Sequence, residues 1–180
     1  DGNFSWERFE ERYNSDLANA FGNLASRVIS MIERYREGVV PSGIDEAIEA
    51  ADASDLAVYH SSMNGSVGYL HHEALKALWR TIARANEFVD RQAPWKLAKD
   101  PASAVELDRT LASLARQLMR HAVYAAPFMP ERADDLWRQL GAPGRVHQQT
   151  FSRIADLQPA GWQVVKGAPL FPKEQTSRSV

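Results

Sequence analysis

Apolar residues recur at steps of three and four positions through most of the first 140 residues, which is the period of an amphipathic helix. The clearest stripe lies between Asn14 and Arg36 and consists of Leu17, Phe21, Leu24, Val28 and Met31. The same period predicts four further helices, over 45–63, 69–90, 101–124 and 133–140. On the first of these four, the predicted inner face is Ile44, Ile48, Ala51, Leu56 and Tyr59. This pattern favours an all-α fold, a helical bundle of about five helices.

The pattern changes after Gly141, where Pro and Gly become frequent and the helical period fades. Trp162–Val165 is the only strand-like run in this part of the sequence. We therefore expect a helical bundle over 1–141 and an irregular C-terminal tail over 142–180. The tail is expected to pack either on the bundle or on another domain.

Composition excludes several classes of protein. The 180 residues include no Cys, which rules out disulfide scaffolds, thiolate metal sites and cysteine nucleophiles. No apolar run approaches the roughly 18 residues that a membrane-spanning helix needs, and the polar opening Asp1–Arg8 is unlike a signal peptide. A net charge of -2 disfavours a basic coat for sequence-independent binding to nucleic acid. We expect a cytoplasmic protein with neither a membrane nor DNA as a partner.

Common catalytic motifs are missing from the sequence. The five histidines show neither H-x-x-x-H nor H-E-x-x-H spacing, and no G-x-S-x-G, G-x-x-x-x-G-K-[ST] or strand-linked G-x-G-x-x-G occurs. The many carboxylates are expected to lie mostly on solvated helix faces. We therefore expect no catalytic residue and no metal site in this chain.

Two places have the residue types that recognise unpaired bases. The first is Asn19, Asn23 and Arg27, which steps of four place on one face of the first long helix. Planar amides and a guanidinium recognise base edges, although the same spacing also fits an ordinary polar helix face.

The second place is Pro94-Trp95, directly after a predicted helix end. The basic residues around it in the sequence are Arg80, Arg84, Arg91, Lys96 and Lys99. An indole beside cations suits stacking on an unpaired base next to a phosphate chain. The alternative is a Trp that fills the end of the bundle core.

At these places the sequence resembles the anticodon-binding domain of the methionyl-tRNA synthetase family. Four stretches match in order: Asp16–Arg27, Asn86–Lys99, Pro127–Pro130 with Trp137 and Leu140-Gly141, and Pro169–Pro172. The opening Asp1–Ser5 is similar to the segment that follows the catalytic domain in this family. Together the stretches extend over nearly the whole chain.

The resemblance implies roles for four residues. In this family, the Asn and Arg of an N-L-x-x-R helix contact the first anticodon base, a cytosine, and the Trp of A-P-W stacks on an anticodon base. These positions are Asn23, Arg27 and Trp95 here, and Pro94 holds the turn that aims the indole. The implied partner is the anticodon loop of tRNA(Met).

The resemblance also implies a parent enzyme. Members of the family are class I synthetases that join methionine to tRNA with ATP and Mg, in a Rossmann body with H-I-G-H-like and K-M-S-K-S-like signatures. Neither signature is present here. We expect the C-terminal, anticodon-binding part of a methionine–tRNA ligase, inactive alone, without a cofactor of its own, and partnered by the catalytic domain. The alternatives are a helical protein-interaction module and the anticodon domain of another class I synthetase.

Overall fold

The computed structural model describes residues 13–65 and 68–172. The α-helices are α1 (Asn23–Arg36), α2 (Glu46–Met63), α3 (His71–Gln92), α4 (Pro94–Leu97), α5 (Ala104–Ala125) and α6 (Pro130–Gln139). A π-helix, Tyr13–Gly22, runs into α1, and short 3-10 helices cover Pro101–Ser103, Val146–Gln148 and Phe151–Asp156. No strand occurs in the described ranges. The all-α prediction is confirmed, and within these residues no helix is long and apolar enough to cross a membrane.

Three element boundaries differ from those the period predicts. The first long helix changes from π to α geometry at Gly22, where an added Cβ would lie only 3.4 Å from Cδ2 of Phe171. The interruption at Ala93–Trp95 contains the one-turn helix α4. The last helix begins at Pro130 rather than at residue 133, because Pro fits the first turn of a helix, where its missing N–H has no intrahelical partner.

The apolar core lies between α1, α3 and α5, which present their stripes to one another. Residues at most 2% exposed include Leu24, Val28, Ile32, Leu78, Ile82, Leu111, Leu114 and Leu118. Burying such side chains supplies most of the stabilisation of a bundle. The three helices therefore form the rigid frame on which the exposed residues are placed.

Helix α2 buries the predicted face and two carboxylates beside it. Ile48 and Tyr59 are buried and Leu56 packs half-buried against the core as expected, whereas Ile44 and Ala51 are exposed. Asp52 and Asp55 are also buried, because Arg80 and Arg84 of α3 pair with them. Hydrophobicity alone missed these two carboxylates, since their partners lie about thirty residues further along the chain.

Residues 142–172 lie against the helices through backbone and ring contacts. Val40 N–H donates to Trp162 O at 2.9 Å and Val164 N–H donates to Gly38 O at 2.8 Å. The Trp137 and Trp162 rings lie 5.7 Å apart. The strand-like run forms only an isolated bridge, Val39 to Gln163. The division of the chain at residue 141 stays a prediction, and the resemblance at Asp1–Ser5 lies outside the described residues.

Candidate nucleic-acid interface

A sharp turn between α3 and α4 places the indole of Trp95 at the surface. Ala93 has a φ of +46°, in the left-handed region, and its N–H donates to Val89 O at 2.9 Å to close α3. Left-handed geometry costs a non-glycine residue about 1–2 kcal/mol, so packing holds this turn in place. Pro94 is buried and starts α4, while Trp95 remains 38% exposed. The structure therefore gives a side chain aimed at solvent rather than one that fills the core.

Arg27 of α1 meets Trp95 although 68 positions separate them in the sequence. Its guanidinium carbon lies 5.9 Å from the indole centroid. Nη2 of Arg27 also donates to Oδ1 of Asp90 at 2.7 Å, and the two side chains are 39% and 66% exposed. Arg27 has no other hydrogen-bond partner in the described part of the chain. Its Nε and Nη1 groups are therefore available to a ligand.

An open depression of about 520 Å³ lies beside these two residues. It is lined by Ser26, Arg27, Ser30, Met31, Tyr35 and Trp95. Five of these belong to α1, as two adjacent pairs four positions apart followed by Tyr35, which places them along one face. The depression thus runs lengthwise along α1, with an aromatic ring toward each end.

Asn23 and Asn19 stand nearby without lining the depression. Asn23 is exposed and begins α1, one turn before Arg27. Asn19 is exposed one step earlier, within the π-helix. The structure therefore brings Arg27 and Trp95 together and leaves Asn23 at the rim.

Asn86, which belongs to the second matching stretch, has a structural contact. Its Nδ2 donates to Ala20 O at 3.2 Å and to Ile82 O at 3.1 Å. The bond to Ala20 ties the π-helix to α3, and so helps to fix the direction from which α1 begins, whereas the bond to Ile82 lies within α3.

Two of the basic residues near Trp95 in the sequence are engaged elsewhere. Arg84 donates to both Asp52 and Asp55, with Nη2 2.7 Å from Oδ2 of Asp55, and Arg80 Nε lies 2.5 Å from Oδ1 of Asp55. Burial raises the pKa of Asp52. It would also raise that of Asp55, but there hydrogen bonds from Arg84 and Arg80 outweigh burial and lower the pKa. Both arginines therefore join α2 to α3.

The remaining cations stay near the surface. Lys96 and Lys99 are exposed, and the Arg91 guanidinium carbon lies 5.5 Å from the centroid of the Phe88 ring. In the described ranges, no group of His, Cys, Asp and Glu is arranged to hold a metal ion. Binding chemistry at this surface thus depends on guanidinium, ammonium, hydroxyl and aromatic groups.

Most of the residues that line the depression were not predicted from the sequence. Met31 belongs to the predicted apolar stripe but is only half-buried, and Tyr35 continues its face one turn later. Ser26 and Ser30 show the same four-residue step, and this step is the sequence signal that could have placed them on the face of α1 that lines the depression. Asp90 carries no such signal, since its pairing with Arg27 joins two helices far apart in the sequence.

The protein-family model described as the anticodon binding domain of methionyl tRNA ligase matches residues 36–178 of this sequence. This chain belongs to that family. A second family model, described as class I tRNA synthetases (M), matches residues 1–29. The family assignment confirms the resemblance, whereas the individual roles of Asn23, Arg27, Pro94 and Trp95 stay predictions.

Relatives of known identity agree with the assignment. The methionine–tRNA ligase of Streptococcus pyogenes serotype M3 (strain SSI-1) is 40% identical over 182 residues, covering 96% of this chain and 26% of that protein. The one from Bacillus subtilis (strain 168) is 34% identical over 186 residues, covering 100% and 28%. Apo methionyl-tRNA synthetase from Mycobacterium tuberculosis superposes with a TM-score of 0.85 at 28% identity, covering 96% and 35%. The chain thus spans about a quarter to a third of these relatives' length.

Proposed function

We propose that this chain binds the anticodon loop of a methionine tRNA by holding its unpaired bases against α1 and Trp95. The observation that carries the proposal is the meeting of Arg27 and a 38% exposed Trp95 beside an open depression. Sequence-specific recognition of RNA uses unstacked loop bases, stacked on aromatic rings and hydrogen-bonded along their edges. Here the indole of Trp95, which can stack on a base, lies beside the guanidinium of Arg27, which can donate hydrogen bonds to a base edge.

Arg27 and Asn23 provide the discrimination. The Watson–Crick edge of cytosine offers two acceptors, O2 and N3, and one amino donor, and a guanidinium supplies only donors. Arg27 therefore binds O2 and N3, and the amide oxygen of Asn23 accepts from the amino group. Uracil differs from cytosine at two positions of this edge. It has an N–H donor where cytosine has the acceptor N3, and a carbonyl where cytosine has the amino group. Each group left unpaired costs about 1–3 kcal/mol, which favours cytosine.

Trp95 provides affinity rather than discrimination, with Pro94 and Ala93 fixing its posture. Stacking a base on an aromatic side chain contributes about 1–3 kcal/mol and tolerates any base. The neighbouring Asp90 orients Arg27 through Nη2, and within the described residues Nε and Nη1 have no partner. Because this ion pair is largely exposed, it stabilises the fold only weakly and does not prevent Arg27 from binding a ligand.

A second part of the proposal concerns the longer protein in which such a domain functions. We propose that the chain acts as the C-terminal part of a longer methionine–tRNA ligase, whose catalytic domain uses ATP and Mg and is its second partner in the cytoplasm. The match of residues 1–29 to the class I model supports this, as does the share of the relatives' length that the chain spans. We propose no catalytic activity or cofactor for the chain by itself.

Titration with a fluorescent anticodon stem-loop of tRNA(Met) tests the binding role. Trp95→Ala should weaken binding by about 1–3 kcal/mol, and Arg27→Gln should reduce the preference for cytosine over uracil at the first anticodon position. Arg132→Gln, on α6, is the matched control for a lost surface arginine and should bind as the unaltered protein does. Equal effects of all three variants would contradict the site assignment.

Two alternatives make different predictions. A helical protein-interaction module would bury Trp95 and engage both Asn23 and Arg27 in hydrogen bonds within the fold. Trp95 and Asn23 are exposed, whereas Arg27 does pair with Asp90. The anticodon domain of another class I synthetase would prefer a stem-loop with a different anticodon. Competition between stem-loops that differ only in the three anticodon bases separates this case from ours.

A further inference from the structure

The three arginines of α1 have different surroundings. Arg27 pairs with Asp90, and Arg36 pairs with Asp108 of α5. Arg34 is exposed and has no carboxylate within 4.0 Å in the part of the chain that the structure describes. The adjacent carboxylate, Glu33, accepts a hydrogen bond from the backbone N–H of Lys166 at 2.9 Å. Within the described residues, Arg34 is therefore the arginine of this helix whose charge is not matched by a carboxylate.

Arg34 lies against the ring of Tyr35, which is one of the residues that line the depression. The Arg34 guanidinium carbon lies 5.7 Å from the Tyr35 ring centroid, a distance at which a cation is attracted to the ring face. Tyr35 itself is half-buried and lines the same depression as Trp95. A helical rise of 1.5 Å per residue places Tyr35 about 12 Å along the axis from Arg27.

The spacing of Arg27 and Arg34 suits a nucleic-acid strand that runs along α1. Seven residues make nearly two helical turns, so both arginines lie on one face of α1, about 10 Å apart along the axis. Phosphates follow one another along a strand, so a loop whose bases are held beside Arg27 and Trp95 carries its backbone along this face toward Arg34.

We propose that Arg34, held on the ring of Tyr35, binds a backbone phosphate of the RNA strand whose bases occupy the depression beside Trp95. This rests on the proposed anticodon-loop function and adds a second, chemically different contact to it. A guanidinium is planar and weakly hydrated, and so suits phosphate oxygens. A phosphate contact carries no sequence information directly. Arg34 therefore adds affinity equally for cognate and non-cognate loops.

The salt dependence of binding tests this with Arg34→Gln. Each phosphate contact to a single strand contributes about 0.7 to the slope of log affinity against log salt, so the variant should have a slope shallower by about 0.7. Its disadvantage should accordingly shrink about 2.6-fold between 50 and 200 mM salt. The change should be the same for a cognate stem-loop and for one with uracil at the first anticodon position.

Matched variants and modified RNAs make the result specific. Arg153→Gln removes an exposed arginine in the segment that packs on Tyr59 and Tyr124 and should keep the original slope. Tyr35→Phe keeps the ring and should also keep it. Stem-loops with one uncharged methylphosphonate linkage at a time should include one that the original protein and Arg34→Gln bind equally well.

Three results would overturn the proposal. An unchanged slope in Arg34→Gln, or a loss confined to the cognate loop, refutes the phosphate contact even where Trp95→Ala still weakens binding. In that case the anticodon-loop function stands and an acidic protein surface becomes the better partner for Arg34. Absence of stem-loop binding by the unaltered protein refutes both proposals.

Discussion

Two arginine–aspartate contacts join α3 to neighbouring helices, one beside the depression and one inside the bundle. Arg27 and Asp90 pair in solvent, with side chains 39% and 66% exposed. Arg84 pairs with Asp52 and Asp55, whose side chains are 1% and 9% exposed. An exposed ion pair contributes about 0–1 kcal/mol, whereas breaking a buried one strands a charge. The same kind of ion pair thus leaves an arginine accessible at the surface in one place and attaches two helices in the other.

The largest expected effect comes from Arg84→Ala. Asp52 would keep a buried carboxylate without its nearest cation, and breaking a buried ion pair in this way costs about 3–5 kcal/mol. Because Arg84 is itself 28% exposed, we expect the unfolding free energy to fall by an amount near the lower end of that range. Urea denaturation measures the loss. The double variant Arg84→Ala/Asp52→Asn should recover part of it, because the stranded charge is gone. A single variant as stable as the original protein would contradict the structural role.

The pH dependence of stability tests the buried half of this comparison, which is that a charge without a partner in the interior destabilises the fold. Burial, with nearby Arg120, lowers the pKa of His121 to about 3, and neither ring nitrogen has a hydrogen-bond partner in the described residues. Because the unfolded chain binds a proton near pH 6.5 and the folded one does not, stability should fall as pH drops from about 6.5 toward 3, by up to about 1.4 kcal/mol per pH unit.

His121→Leu is the variant that isolates this effect. Between pH 6.5 and 5, the original protein should lose about 1.7 kcal/mol more than the variant, as measured by urea unfolding at both pH values. Equal losses in the two proteins would show that His121 is protonated in the folded state.

The smallest effect is expected from Asp90→Asn. Because the pair with Arg27 is exposed, unfolding free energy should change by no more than about 0.5 kcal/mol. Stem-loop binding should weaken less than it does in Arg27→Gln, because the guanidinium loses only its orienting partner. Calorimetric melting and the same titration measure the two quantities. A stability loss comparable to that of Arg84→Ala would remove the distinction between the two ion pairs.

The period of apolar residues predicted the helices well because α1, α3 and α5 bury ordinary apolar stripes. On α2 it identified Ile48 and Tyr59 but missed Asp52 and Asp55, which are buried because arginines of another helix pair with them. It also missed the start of α6 at Pro130, because Pro both ends one helix and suits the first turn of the next. Local pattern cannot include partners that only folding brings near.

The sequence by itself determined the helical class of the protein and the break at Pro94-Trp95, because periodicity and proline geometry act over a few neighbouring residues. It also determined the family, through ordered motifs that span the chain. Only the tertiary structure decided which carboxylate each arginine meets. Arg27 lines the depression and pairs with the exposed Asp90, while Arg80 and Arg84 pair with buried carboxylates of α2. Charge alone does not separate them, since the cost of leaving an ion unpaired depends on its burial, and burial is set by helices distant in sequence.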